Sequence, residues 1–235
     1  MTQKSPNTTV LLIGASRGLG LAIAGEYLKR GSQVVATVRG AQRTELHDLQ
    51  GTTAERLEIE HIDITIPEQI VDLHDRLASR TFDLLFVNAG VANRNPEDTI
   101  ADISTEEFTR LMVTNALSPM RVIEALKDLV APNGTIAVMS SGQGSIANNE
   151  RGGFEIYRGT KAALNMFMRS YAARHHADPR TLLLMAPVWV KTRLGGPGAL
   201  LTIDESIPNL VNVIDAQHGR GGLQYLDYRG ETVAW

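Results

Sequence analysis

Val10-Leu11-Leu12-Ile13-Gly14-Ala15-Ser16-Arg17-Gly18-Leu19-Gly20 decides the fold, because an apolar run ends in a Gly-rich turn that opens directly into the helical pattern Leu21 to Leu28. A strand-to-helix turn this tight needs positive φ, which glycine adopts without a Cβ penalty. An anionic group reaches the N–H groups at a helix start only where no Cβ intervenes. Gly14, Gly18 and Gly20 stand where both demands fall, with Ser16, Arg17 and Leu19 between them. The turn therefore reads as a cradle for the pyrophosphate of a dinucleotide.

On either side of this stretch, short apolar runs alternate with longer amphipathic ones, the pattern of strands feeding crossover helices. The strands expected are Val10 to Ile13, Gln33 to Val38, Leu57 to Ile62, Leu84 to Val87, Thr135 to Met139, Thr181 to Met185 and Leu223 to Tyr228. The helices expected are Leu19 to Arg30, Pro67 to Ser79, Thr105 to Leu129, Tyr157 to His175 and Glu205 to Ala216. Thr65 and Glu68 have the spacing of a capping box, and Pro67 suits a first helical turn. Gly195 to Pro208 reads as a flexible segment. With no repeat and no low-complexity linker, residues 1–235 are expected to form one domain. The fold class is α/β: a single-domain Rossmann fold, doubly wound, with a mostly parallel seven-stranded sheet and helices on both faces.

Composition narrows the function. There are 23 Lys and Arg against 26 Asp and Glu, a net charge of −3, and no basic block to track a nucleic acid. No apolar run reaches the roughly 18 residues of a membrane helix. The polar opening Met1 to Thr9 lacks the apolar centre of a secretory signal, so a cytoplasmic protein with no membrane partner is expected. The chain has no cysteine, which removes disulfides, thiol nucleophiles and cysteine-ligated metals. His175 and His176 are adjacent and so point about 100° apart on a helix, and without a third ligand at suitable spacing they read as a solvated helix end. No metal site is expected.

Two further stretches carry chemistry. The second strand ends at Arg39 where a dinucleotide's adenosine ribose would lie, with no carboxylate to hold a free 2′-hydroxyl. Arg39 and Arg17 offer guanidinium groups that match a 2′-phosphate, so NADP(H) is the expected cofactor. Tyr157 and Lys161, four apart in a helical segment, leave the same face. An ammonium beside a phenol favours the phenolate and brings its pKa toward the working range of an acid-base group. Ser140-Ser141 closes the strand before this helix, at the edge where α/β sheets bind ligands, and can offer a hydroxyl to a carbonyl oxygen.

These motifs, in this order, resemble the short-chain dehydrogenase/reductase family over nearly the whole chain. The turn has the family's G-x-x-x-G-x-G spacing. Ser140-Ser141-Gly142 ahead of Tyr157-x-x-x-Lys161 is similar to its serine, tyrosine and lysine, with Ser141 in the catalytic place and Ser140 in the core. Gly144-Ser145-Ile146 and Tyr157 to Asn165 resemble the sniffer-type carbonyl reductases and the C-factor-like group. The resemblance implies that Asp63 meets the adenine amino group and Ile64 lines its pocket. Asn88-Ala89-Gly90 would flank the cofactor, and Asn115 would hold a water for proton relay to Lys161. Pro187, Val190 and Thr192 match the segment that meets the nicotinamide carboxamide. Two departures stand out: Ile13 replaces the family's Thr, losing a side-chain hydrogen bond, and Val188 replaces its Gly.

The function so implied is hydride transfer between NADP(H) and a small-molecule carbonyl or alcohol. Tyr157 would be the acid-base group, Ser141 would hold the oxygen, and Lys161 would hold the ribose and lower the phenol's pKa. Two alternatives are a catalytically silent NADP(H) sensor or signalling protein, which has no need of the triad, and a sugar-nucleotide epimerase, which normally adds a substrate domain. Trp189, Phe154 and Leu194 are candidates for the substrate lining, and Trp235 could dock on its own core or on a neighbour. A homodimer or tetramer is expected through Thr105 to Leu129 and Tyr157 to His175, with Leu111, Val122, Leu126, Leu164 and Phe167 as an apolar face.

Overall fold

The computed structural model describes residues 8–53 and 55–235, so most of the polar opening lies outside the described residues. One seven-stranded sheet runs through the molecule. Its strands are β1 (Thr9–Ile13), β2 (Gln33–Val38), β3 (Leu57–His61), β4 (Phe82–Val87), β5 (Val130–Met139), β6 (Thr181–Ala186) and β7 (Gly222–Asp227). Their order is β3-β2-β1-β4-β5-β6-β7, and every neighbouring pair is parallel. The helices are α1 (Gly18–Lys29), α2 (Glu45–Thr53), α3 (Pro67–Leu77), α4 (Thr105–Met112), α5 (Ser118–Leu126), α6 (Glu155–Arg174) and α7 (Ile203–Gln217).

Successive strand residues face opposite sides, so the near-continuous apolar strands feed two cores. Leu11, Ile13, Ile136, Val138, Leu182 and Leu184 join α3, α5 and α6 in one. Val10, Leu12, Ala137, Met139, Leu183 and Met185 join α1, α2 and α7 in the other. The chain order reverses between β1 and β4, which opens a crevice above their carboxyl ends.

Four expectations are corrected. The helix expected over Thr105 to Leu129 is interrupted by a π-helical turn, Val113–Leu117. Pro119 lacks an N–H and so cannot donate to the carbonyl four residues earlier, that of Asn115. Helix α2 is additional, its burial resting on Leu46 alone. The capping box at Thr65 does not form: Ile66 caps α3 without a side-chain bond, because Thr65 instead donates its N–H and hydroxyl to Asp63 Oδ1, at 2.9 and 2.7 Å. The box forms at Thr202 and Glu205, so α7 starts inside the segment read as flexible and runs through Pro208.

Candidate active site

Above β1 the chain turns through Gly14 at φ +91 and Gly18 at φ +58. A Cβ on Gly20 would stand 2.1 Å from the Gly14 carbonyl oxygen and 2.6 Å from Asn88 Nδ2. Helix α1 begins with no side-chain cap from Arg17 and no acid in its first turn, which leaves its N-terminal N–H groups and positive dipole end to an anion. Ser16, Arg17 and Leu19 ride on this turn, Arg17 exposed. The hydrogen bond lost at Ile13 is replaced from the next strand: the Gly14 N–H donates to Thr37 Oγ1 at 2.9 Å, and the Ala15 N–H to the Thr37 carbonyl at 2.8 Å. A lone hydroxyl within the apolar run Gln33 to Val38 is the signal that could have pointed to Thr37. From β4, Asn88 Nδ2 donates to the Gly14 carbonyl at 2.8 Å, and the Asn88 and Ala89 N–H groups donate to the Ile13 carbonyl. Gly90 continues this brace toward the reacting centre, its Cα lying beside Asn115 and Lys161.

Next to the turn, Arg39, Gly40, Ile62 and Asp63 line a cavity of about 600 Å³. Arg39 directly follows β2 and is exposed, Ile64 is buried, and the Asp63 N–H donates to Gln69 Oε1 at 2.7 Å. Of the groups the sequence assigned to the adenosine end, Arg39 and Asp63 line this cavity, together with Asp72 and Arg76, whereas Arg17 and Ile64 do not. Glycines at positive φ, an uncapped helix start and Arg39 beside a cavity together fit a dinucleotide carrying an extra phosphate.

The reacting residues come from β5, the π turn and α6. Ser141 is half-buried past the end of β5, and its Oγ accepts from the Gln143 N–H at 3.2 Å. Ser140 is a core residue, as expected: it is buried, and its hydroxyl donates to Asn165 Oδ1 at 2.6 Å. Asn165 Nδ2 in turn donates to the Gly144 carbonyl, a tie that sequence reasoning missed. Tyr157 sits in the first turn of α6, and one turn on is Lys161, only 3% exposed. The Lys161 ammonium donates to the Met139 carbonyl at 2.8 Å and lies 5.8 Å from the centre of the Tyr157 ring. Asn115 is fully buried. Its Oδ1 accepts from the Val91 N–H at 2.8 Å, and its Nδ2 donates to the Val91 carbonyl at 2.7 Å and to Thr160 Oγ1 at 3.0 Å. Its side chain is committed to these bonds, and Pro119 denies its main-chain carbonyl the α-helical donor.

Burial is the dominant influence on both titrating groups. It pushes the Tyr157 phenol up to about 12, against a smaller downward pull from Ser141. It pushes the Lys161 ammonium down to about 8. The expected depression of the phenol by Lys161 is thus corrected: the ammonium is turned to the Met139 carbonyl, and desolvation of the ring prevails.

Beyond β6, Pro187 is buried and accepts the Ser206 hydroxyl on its carbonyl at 2.9 Å. Val188 has φ +64, a conformation that strains a β-branched residue and explains why glycine is usual there. Val190 pairs with Leu201, and Thr192 Oγ1 accepts from the Gly195 N–H at 3.0 Å. Val188, Trp189 and Leu194 are exposed, and the Trp189 indole N–H donates to the Gly195 carbonyl at 2.6 Å. Of the histidine pair, His176 is exposed, whereas His175 is half-buried with its ring 4.4 Å from that of Tyr171, so only one of the two is solvated as expected. Among the described residues no group of three His, Cys, Asp or Glu could hold a metal, and no helix is long and apolar enough to cross a membrane.

Comparison with known proteins identifies the family. A family model for short chain dehydrogenases matches residues 8–197. The chain belongs to this family and is an oxidoreductase. A Burkholderia multivorans chain described as a short-chain dehydrogenase/reductase, with bound NADP, is 60% identical; it covers 98% of this chain and 100% of its own, with a TM-score of 0.96. A carbonyl reductase from Pseudomonas aeruginosa PAO1 in complex with NADP is 35% identical over 97% of this chain and 100% of its own, with a TM-score of 0.90. The C-signal of Myxococcus xanthus is 34% identical over 155 residues, 65% of this chain and 92% of that protein.

Proposed function

We propose that residues 1–235 form one catalytic unit, an NADP(H)-dependent cytoplasmic carbonyl reductase acting on a small-molecule ketone or aldehyde. The observation that carries this reading is the meeting of the Ser141 hydroxyl, the Tyr157 phenol and the buried Lys161 ammonium. Bound NADPH supplies the hydride for reduction. Gly14, Ser16, Arg17, Gly18, Leu19, Gly20, Asn88, Ala89 and Gly90 hold the cofactor's phosphates and neighbouring ribose. Arg39 takes the 2′-phosphate, Asp63 and Ile64 the adenine, and Pro187, Val190 and Thr192 the carboxamide. Ser141 donates a hydrogen bond to the substrate oxygen, and Tyr157 gives that oxygen its proton. A phenol pushed up to about 12 keeps its proton at neutral pH, the state a donor needs. Lys161 binds the ribose, and the Asn115 carbonyl holds the water that returns the proton. Val188, Trp189 and Leu194 give the substrate side an apolar character.

One observation favours a second reading, a signalling protein without catalysis: the similarity to the C-signal. A protein that only binds NADP(H) has no need of Ser141, Tyr157 and Lys161 together, so the reductase reading stands first. NADPH consumption with a panel of ketones, aldehydes and quinones separates them, since turnover of none supports the second. We also infer a homo-oligomer, with its contact face revised. Leu111, Val122, Leu126 and Leu164 are buried within the chain's own core, whereas Phe108, Leu117, Met166 and Phe167 are exposed.

A further inference from the structure

We propose that Tyr225 is a positioning residue for Ser141, and that Trp235 holds Tyr225 in that role. Tyr225 lies on β7, far from the reacting residues in sequence, and is 1% exposed. Its hydroxyl donates to the main-chain carbonyl of Ser141. The same carbonyl accepts the Gly144 N–H at 2.8 Å, so both of its lone pairs are used, and the peptide that carries the Ser141 side chain is held from two directions.

The residues after β7 complete the clamp. The chain turns back so that the Val233 N–H donates to the Tyr225 carbonyl at 2.9 Å, and the Trp235 ring packs 5.5 Å from that of Tyr225. Arg169, on the helix that carries Tyr157 and Lys161, places its guanidinium 4.7 Å from the centre of the Trp235 ring. The Trp235 carbonyl accepts the Ala147 N–H at 3.0 Å, which ties this segment to the loop that follows Ser141. Strand, tail and helix thus converge on the serine's backbone, while the serine's hydroxyl is left to face Tyr157. Trp235 packs on the core of its own chain.

This inference rests on the reading of Ser141 as a catalytic residue, and a double-mutant cycle separates the two. Tyr225→Phe keeps the ring and removes one hydroxyl, and the Ser141 carbonyl keeps its bond from Gly144. The expected result is a kcat roughly 5- to 20-fold lower, with the Kd for NADPH within about 2-fold of the unmodified protein. In the Ser141→Ala background, the same change should alter kcat by less than about 2-fold, because the side chain it positions is gone. Trp235→Phe, which leaves β7 untouched, should show the same dependence on Ser141 at about 2- to 5-fold. Equal losses in both backgrounds, or a Tyr225→Phe kcat equal to that of the unmodified protein, overturn the positioning role. An unchanged kcat in Ser141→Ala alone overturns instead the catalytic reading of Ser141 on which it rests.

Discussion

The two halves of the sheet's carboxyl edge are built by opposite means. On the β1, β2 and β4 side the site is made by leaving side chains out: Gly14, Gly18 and Gly20 let backbone approach backbone. On the β5, β6 and β7 side it is made by burying polar groups: Lys161, Asn115, Ser140 and Asn165 are all enclosed, each held by named hydrogen bonds. The first half needs space and partial charge, which local sequence provides. The second needs desolvated groups at fixed positions, which only tertiary packing provides.

The sharpest way to break this contrast is to fill the space. Gly20→Ala sets a Cβ 2.1 Å from the Gly14 carbonyl oxygen, and backbone cannot step aside as a side chain can. Overpacking of this kind costs about 1–3 kcal/mol before any loss of ligand contact, and NADPH affinity should fall roughly 100-fold or more. Calorimetric titration checks it; binding within about 3-fold of the unmodified protein means that the turn is not the cradle. Next in size is Arg39→Ala, which removes a charge-assisted hydrogen bond of about 1.5–3 kcal/mol and should weaken NADPH roughly 10- to 150-fold while leaving NADH unchanged. Equal losses for both cofactors remove Arg39 from the 2′-phosphate.

The smallest effect sharpens the other half. The Lys161 ammonium has a folded pKa of about 8 against an ordinary value of 10.5. Between these values the unfolded chain binds more protons than the folded one, so this residue's contribution to stability rises with pH across that window. Below pH 8 both states are charged and the desolvation cost is fully present. Lys161→Met should therefore stabilise the cofactor-free protein at pH 7 by roughly 1 to 3 kcal/mol and flatten the rise above pH 8, while weakening NADPH. Urea unfolding at several pH values measures both. A destabilised Lys161→Met protein with its pH slope intact contradicts the burial argument.

The same contrast accounts for what could be read from the chain. Every expected strand is present, because parallel strands buried on both faces announce themselves as apolar runs, and the glycine turn is legible for the same local reason. The interrupted helix was legible in principle, since Pro119 stands four residues after Asn115, but apolar periodicity runs across the break and hides it. Thr65 was misread because the same hydroxyl serves either a helix cap or Asp63, and local spacing does not choose between them. Thr37 and Tyr225 escaped altogether, for each acts on a residue of another strand, and the pairing of strands is what brings them there. Four of the five residues expected at an association face, Leu111, Val122, Leu126 and Leu164, are core residues while Phe167 is exposed, through the reverse ambiguity: periodicity marks a buried face without saying whether its own core or a second chain covers it.

The most direct test of the account is Tyr157→Phe, assayed for turnover of a carbonyl substrate and for NADPH binding on the same preparation. Loss of the phenol that supplies the proton should lower kcat by roughly 10² to 10⁴ while the Kd for NADPH stays unchanged. Turnover within a few-fold of the unmodified protein contradicts the mechanism and leaves the chain as a binder of NADP(H).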